Sequence, residues 1–226
     1  MEPQRPPGPE NWEEQVKIGI IGAGNVGGAL GTLWAGKGHE VVFGVRDTDG
    51  PKLQQLLTST QGKARAAGVK DAAAFGEIVV FATPWPATQD AIDSAGNLTG
   101  KIVIDCTNPL LPDLSGLALG ANNSAGEEVG RWANGATVVK AFNTIGAANF
   151  GNPRFGSENA TMFICGGDAS AKASVGRLAA ELGFDVVDAG PLSASRLLES
   201  LAVLWLHLAF KGGFSPTDHA FKLLRR

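Results

Sequence analysis

The chain has 226 residues, 44% of them hydrophobic, and carries a net charge of −3. That composition is enough for a substantial buried core in one or two domains, and it lacks the basic excess of a nucleic-acid-binding protein. No apolar run is expected to reach the roughly 18 residues that a membrane span needs. The proline-rich N-terminal stretch MEPQRPPGPENWEEQ has no apolar signal core. It predicts a flexible tail over residues 1–14 and a cytoplasmic protein.

Apolar runs of four to eight residues recur along the chain and predict strands. They are rich in β-branched residues and apolar on both faces, which is typical of a parallel sheet covered by helices on both sides. The runs lie at 16–22, 40–45, 77–83, 101–107, 136–142, 161–166 and 184–190, with a weaker candidate at 64–68.

Helical stretches fill the intervals between these runs. Ser124 stands three residues before Glu127, a capping-box spacing, and Asp168 is a second candidate cap. The predicted helices cover 25–37, 51–62, 124–135, 168–183 and 194–211. Strands alternating with helices predict an α/β fold, a Rossmann-type doubly wound and mostly parallel sheet. We expect one domain over 15–226 with a small C-terminal helical extension from about 190, and no metal site.

The stretch IGAGNVGG places Gly22, Gly24 and Gly27 in the G-x-G-x-x-G pattern, directly after a predicted strand and at the start of a helix. This context makes the motif diagnostic of a dinucleotide site. The first glycine allows a tight turn, the second lets a diphosphate approach the backbone, and the third lets helix and strand pack closely. We predict that residues 22–27, including Ala23, Asn25 and Val26, bind the cofactor.

Arg46 follows the second predicted strand, where many dinucleotide-binding chains place an acid. An acid there would bind the adenosine ribose and select NAD, whereas a guanidinium pairs with the 2′-phosphate of NADP. Arg46 therefore predicts NADP, with Lys52 as a weak assistant. The alternative is a solvated surface arginine neutralised by Asp47.

Few residues are suited to general acid catalysis. The sequence contains no tyrosine, which excludes the tyrosine-dependent short-chain dehydrogenase mechanism. His39, His207 and His219 are interpreted as structural because they lie away from the predicted strand ends. The two cysteines, Cys106 and Cys165, have no metal spacing and are expected to be reduced core residues.

Lys140 remains as a candidate acid near a strand end, although it could equally support the cofactor or a neighbouring carboxylate. A chain so poor in acids and bases suits hydride transfer between two ring cofactors, which requires positioning and exclusion of water. The strand ends supply candidate walls for a flat-ring cleft: Thr83, Pro84, Trp85, Pro86, Thr107, Asn108, Pro109, Asn143, Thr144 and Ile145. Trp85 is as readily explained by packing.

The last helix begins near Ser193 and places Arg196 in its first turn, where the helix dipole disfavours a cation. An anion nearby is therefore expected, either a substrate phosphate or carboxylate or a local Glu199 or Asp188. Further along, the helix is apolar over more than one face, which indicates burial in a core or a subunit interface. The apolar positions are Leu197, Leu198, Leu201, Ala202, Leu204, Trp205 and Leu208.

Six stretches resemble one known family, the NADPH-dependent reductases of the deazaflavin coenzyme F-420, together with the related oxidoreductase domain of the STEAP metalloreductases. They are GIIGAGNVGGALG, EVVFGVRD, TPWPAT, VVKAFNTIGA, ICGGDASAK and DAGPLSASRLLESLA, spread from residue 17 to about 205. The resemblance implies a homodimer that passes hydride between NADP and a flavin-like ring, with Arg46 at the 2′-phosphate. It also implies that Thr83 and Pro84 contact the cofactor and that the ring cleft or substrate site includes Pro191, Leu192, Ser193, Ser195 and Arg196.

Two positions depart from the family pattern. Val45 stands where the family often has Ser or Thr on the same phosphate, and Asn143 stands where some archaeal members have histidine. The acceptor therefore stays open among F-420, FMN, an FAD-like flavin and a ferric complex reduced through flavin. Two other functions also stay open, a non-catalytic NADP-binding sensor or interaction module and a reductase of small imines or hydroxy acids with Lys140 as its acid.

Overall fold

The computed structural model describes residues 15–226, so the predicted tail over 1–14 lies outside the described residues. Its centre is an eight-stranded sheet, and a separate two-stranded hairpin lies beside it. The strands are β1 (Lys17–Ile21), β2 (Glu40–Val45), β3 (Ala64–Gly68), β4 (Ile78–Phe81), β5 (Ile102–Asp105), β6 (Thr137–Lys140), β7 (Arg154–Phe155), β8 (Glu158–Asn159), β9 (Thr161–Gly166) and β10 (Asp185–Asp188).

The strand order is β10-β9-β6-β5-β4-β1-β2-β3. Every neighbouring pair is parallel except β6 and β9, which are antiparallel. The prediction of a mostly parallel, doubly wound sheet is confirmed, and so are all eight predicted strands, including the weak candidate at 64–68. The order reverses between β1 and β4, and such a switch point opens a crevice at the carboxyl ends of the strands.

Within residues 15–226, seven α-helices cover the sheet. They are α1 (Asn25–Lys37), α2 (Pro51–Ser59), α3 (Val69–Phe75), α4 (Thr88–Ala95), α5 (Ala125–Trp132), α6 (Ala169–Glu181) and α7 (Ser195–Phe210). The predicted caps are present: Ser124 accepts a hydrogen bond from the Glu127 N–H, and Asp168 accepts one from the Ala171 N–H. The short helices α3 and α4 were not predicted individually.

The core has two layers because the strand side chains alternate between the two faces of the sheet. Along β1, Ile18 and Ile20 belong to the cluster that holds Trp34 of α1 and Leu178 of α6. Ile21 belongs to the opposite cluster, with residues of α3, α4 and α5. Cys106 and Cys165 are free and buried, as the sequence predicted.

The C-terminal helix α7 corrects the expectation that no apolar run is long enough to span a membrane. By length and composition alone, Leu192–Phe210 is apolar enough to cross a membrane, a test that the core helix of a soluble protein also passes. Leu198, Ala202 and Trp205 pack inside the protein, whereas Leu197 and Leu204 are exposed. One side of the helix is therefore a core face, and the other is an apolar surface.

Candidate functional site

The turn after β1 is held by close backbone contacts that only glycine permits. Gly22 has φ of +105°, and a Cβ there would lie 2.7 Å from the Ala82 carbonyl oxygen. A Cβ on Gly27 would collide with the Gly22 carbonyl oxygen, whereas one on Gly24 would meet no atom within 4 Å. Gly22 and Gly27 thus serve the fold, and Gly24 leaves open space above the turn.

That open space faces the start of α1. Gly24 is the N-cap residue, no side chain caps this end, and the first turn contains no acidic residue. The first N–H groups of a helix have no intrahelical partner and favour an anion. The turn therefore fits the diphosphate of a dinucleotide, which binds against the backbone where Gly24 lacks a side chain.

Arg46 is exposed at the carboxyl end of β2, beside the glycine turn. Within residues 15–226 no carboxylate pairs with it, and Asp47 instead accepts the N–H of Asp49. The guanidinium is therefore not neutralised by Asp47 and is available to a phosphate, and its role at the 2′-phosphate stays a prediction. Lys52 lies in the first turn of α2 and is also exposed.

A cavity of about 590 Å³ lies beside the start of α1, at the ends of β5 and β6. It brings together the predicted residues Asn25, Val26, Asn143 and Ile145. Its opposite wall comes from the C-terminal extension and includes Trp205, Leu206, Phe210 and Pro216. Sequence reasoning missed that wall, because nothing local in α7 indicates that it faces the ends of β5 and β6.

A short strap, residues 211–219 directly after α7, completes this wall of the cavity. The Trp205 indole stacks on the His219 imidazole with ring centroids 4.8 Å apart, and Asn149 donates from Nδ2 to the Pro216 carbonyl at 3.0 Å. The ring nitrogens of His219 lie near two backbone carbonyls, Nδ1 near that of Ser215 in the strap and Nε2 near that of Trp205 in α7. At the far side of the molecule, His39 pairs with Glu181 at 2.7 Å. These contacts agree with structural roles for His39 and His219.

Several other predicted residues lie outside the cavity. Thr83 hydrogen-bonds Thr88 at 2.9 Å, and Trp85 stacks on Trp132 with centroids 5.2 Å apart, which supports the packing interpretation of Trp85. Also absent from the cavity lining are Pro84, Thr144, Pro191, Leu192 and Ser193. Their assignment to the cofactor or substrate stays a prediction.

Ser195 and Arg196 require correction. Ser195 is fully buried and its Oγ lies 3.4 Å from the Cys165 Sγ, so it is not placed to contact a substrate. Arg196 does have the anion that its position demanded, but the partner is Glu127, bound through two hydrogen bonds of 2.8 and 2.6 Å. This pairing holds the pKa of Glu127 below its ordinary value. The expected partners Glu199 and Asp188 pair elsewhere, with Lys140 and Lys172.

Lys140 belongs to a buried ionic triad. Its Nζ donates to Asp105 at 2.7 Å and to the Thr107 carbonyl at 2.8 Å, and it pairs with Glu199 at 3.0 Å. Lys140, Asp105 and Glu199 all have fully buried side chains. Burial opposes the Lys140 charge, but the two carboxylates outweigh it and raise the pKa. With three acceptors around Nζ and no solvent contact, Lys140 is not placed as a general acid, and its alternative role of supporting a carboxylate is the one observed.

Glu199 extends the triad to the start of α5. Its carboxylate accepts the N–H groups of Ala125 and Gly126, both at 3.1 Å. A carboxylate at this end is stabilised by the helix dipole, although burial raises the pKa of Glu199. The triad thus connects the ends of β5 and β6 with α5 and α7, directly behind the cavity.

The cavity lining contains one titratable side chain, the thiol of Cys106. Burial and the neighbouring Asp105 raise its pKa far above the ordinary value, so the thiol stays protonated at neutral pH. The cleft offers space for flat rings and no ionised acid or base at its surface.

The order of the strands and the glycine turn define a dinucleotide-binding protein of Rossmann fold, and the comparisons with known proteins identify it as an NADP-dependent oxidoreductase. The family model described as NADP oxidoreductase, coenzyme F420-dependent, matches residues 17–109. Metalloreductase STEAP3 of Rattus norvegicus is 32% identical over 190 residues, or 84% of this chain, which spans 37% of that relative's length.

Two solved structures agree with this assignment. A proposed F420-dependent NADP reductase from Arthrobacter sp. FB24 has 33% identity and a TM-score of 0.85, covering 93% of this chain and 100% of that one. A hypothetical protein, SMa0349 from Sinorhizobium meliloti, has 28% identity and a TM-score of 0.71, covering 81% and 89%. The chain belongs to the family of coenzyme F420-dependent NADP oxidoreductases.

Proposed function

We propose that the protein transfers hydride between NADPH and a deazaflavin or flavin, namely coenzyme F-420, FMN or an FAD-like acceptor. The observation that carries this proposal is a cavity large enough for flat rings, next to a diphosphate cradle, whose lining has no ionised acid or base. Bound NADPH supplies the hydride, and the chain positions the two rings and keeps water away from them. The similar proteins support F-420 as the acceptor, since both the matching family and the Arthrobacter reductase are named for dependence on F420.

The residues of the glycine turn and the cavity each have a role in this proposal that follows from their position. Backbone N–H groups at the start of α1 hold the diphosphate, and Arg46 pairs with the 2′-phosphate. Asn25 and Val26 lead from the cradle into the cavity, which the strap and α7 shield from water. Because a hydride passes directly between two rings, no protein side chain has to deliver a proton in the transfer step.

The experiment is to mix the protein with NADPH and, in turn, F-420, FMN and FAD, following the loss of nicotinamide absorbance. NADPH deuterated at the transferring position should place its label on the ring carbon of reduced F-420, where a C–D bond does not exchange with water. Labelled product establishes direct hydride transfer. Tight NADPH binding without reduction of any acceptor would overturn the proposal and favour the non-catalytic NADP sensor.

We further infer a homodimer that acts in the cytoplasm and binds neither nucleic acid nor a membrane. The net charge of −3 argues against nucleic acid as a partner, and the homodimer is supported by the exposed apolar side of α7, where Leu197 is 71% and Leu204 47% exposed. Monomers rarely leave such a patch uncovered. Sedimentation equilibrium should give twice the chain mass, and Leu204→Lys should shift the protein to the monomer. An unchanged mass for that variant would place any interface elsewhere.

A further inference from the structure

Asn143 has a side-chain oxygen without a partner. The residue follows β6, is 6% exposed and lines the cavity. Among the buried side-chain nitrogen and oxygen atoms of residues 15–226, its Oδ1 is the one that makes no hydrogen bond. A buried acceptor without a donor lowers stability, so such an atom in a ligand cavity requires an explanation.

The orientation of this amide is fixed by a chain of hydrogen bonds that starts at the backbone. The Asn143 carbonyl can only accept, and it accepts from Asn108 Nδ2 at 3.0 Å. This contact leaves Asn108 Oδ1 facing Asn143, and Oδ1 accepts from Asn143 Nδ2, also at 3.0 Å. Exchanging the two ends of either amide would place two acceptors or two donors against each other. Asn143 must therefore direct its oxygen away from Asn108.

The backbone just before Asn143 adds to this constraint. Phe142 has φ of +61°, a left-handed conformation that non-glycine residues rarely adopt. Its ring is held in the core by edge contacts with Trp34 and Phe150. Strain of this kind persists only where the surroundings fix it, and it is often found at ligand sites. The core thus imposes the turn that places Asn143 on the cavity wall.

We propose that Asn143 Oδ1 accepts a hydrogen bond from the carboxamide NH₂ of the nicotinamide ring, and that this contact selects the cofactor's amide. The inference rests on the proposed function, because it takes the cavity to hold that ring. The nicotinamide is favoured because the cavity also includes Asn25 and Val26, at the end of the diphosphate cradle. Because Oδ1 is covered in this structure, the proposed contact requires a local opening of the wall around Asn143.

The test is a binding cycle without turnover. Calorimetry compares NADP⁺ with its 3-acetylpyridine analogue, in which a methyl group replaces the carboxamide NH₂, for the wild type and Asn143→Leu. The wild type should bind NADP⁺ about twofold to twelvefold more tightly than the analogue, the effect of one lost hydrogen bond. Asn143→Leu should bind both with nearly equal affinity. Ile145→Val, also on the wall but without a polar atom, should keep the wild-type ratio.

Asn143→Ala provides the same comparison if the leucine variant does not fold. A wild type that does not discriminate, or an Asn143 variant that keeps the full ratio, would overturn the inference while leaving the proposed function intact. Failure of both dinucleotides to bind would overturn the proposed function as well. A parallel arm uses a flavin methylated at its N3 lactam. Discrimination that appears only in that arm would assign Oδ1 to the hydride acceptor and overturn the nicotinamide assignment.

Discussion

Replacing Lys140 with methionine distinguishes a structural cation from a catalytic one. Methionine approximates the length of the lysine stem but removes the charge that Asp105 and Glu199 share at 2.7 and 3.0 Å. All three side chains are fully buried, so neither carboxylate can recover its lost partner from water. We expect Lys140→Met to destabilise the fold strongly.

The size of the effect follows from the geometry. Removing one partner of a buried ion pair costs about 3–5 kcal/mol, because an uncompensated charge remains inside. For a domain of this length each kcal/mol shifts the melting temperature by about 2–4 °C, so the total loss is about 6–20 °C. The matched control adds Asp105→Asn and Glu199→Gln to Lys140→Met. Without any charge, it keeps an acceptor for the Thr107 N–H and one for either the Ala125 or the Gly126 N–H, because the two N–H groups use different oxygens of Glu199 and glutamine has a single acceptor oxygen.

Calorimetric melting and NADPH turnover are measured on the same preparations. The single variant should melt well below the wild type, and the triple variant should recover part of the difference, because the uncompensated buried charges are gone but one N–H group of α5 loses its acceptor. Turnover measured well below the melting transition should persist in both variants. A Lys140→Met protein that melts like the wild type but has lost turnover would refute this reasoning and restore Lys140 as the acid.

The remaining predictions concern the cofactor cradle and the surface pair. Gly24→Ala should leave the melting temperature unchanged but weaken NADPH binding by about 1–3 kcal/mol, because the added methyl group would enter the space that the diphosphate occupies. Gly27→Ala should instead lower the melting temperature, because its Cβ meets a backbone carbonyl. Equal behaviour of the two variants in calorimetry would contradict the assignment of the glycine turn to the diphosphate. Arg46→Ala should weaken NADPH by about 1.5–3 kcal/mol, as for a hydrogen bond to a charged group, and leave NADH nearly unchanged in the same titration; equal losses would rule out the 2′-phosphate role. Arg196 depresses the pKa of Glu127 below 4.5, so this pair stabilises the fold above that pH and the stabilisation is lost as pH falls through the lower folded value. The wild type should therefore exceed Glu127→Gln by about 0.5–1 kcal/mol at neutral pH, and melting curves that keep a constant gap into strong acid would disprove the linkage.

The strands and the cofactor turn could be predicted because their signals are local. Ile18 and Ile20 belong to an apolar run that only a sheet buried on both faces accommodates, and Gly22 and Gly24 have the spacing of a phosphate turn. Arg46 could be located because it immediately follows such a strand. These parts of the fold depend on neighbours in the sequence.

The cavity's second wall and the triad depend on residues far apart in the chain. Asp105 and Glu199 are separated by most of the C-terminal half, and nothing in either segment indicates the other. One signal was present: Asp105 and Lys140 each lie near the end of a predicted strand, and those strands proved to be neighbours in register. The anion for Arg196 was correctly anticipated, but Glu127 lies on a different helix, so its identity required the packing of α5 against α7.

The attachment of Glu199 to the first N–H groups of α5 has a consequence for how the protein opens. Undocking the last helix would withdraw an anion from α5 and leave Lys140 with a single carboxylate. The amides of Ala125 and Gly126 should therefore exchange with deuterium only when α7 detaches, so that their protection reports the docking of the C-terminal extension.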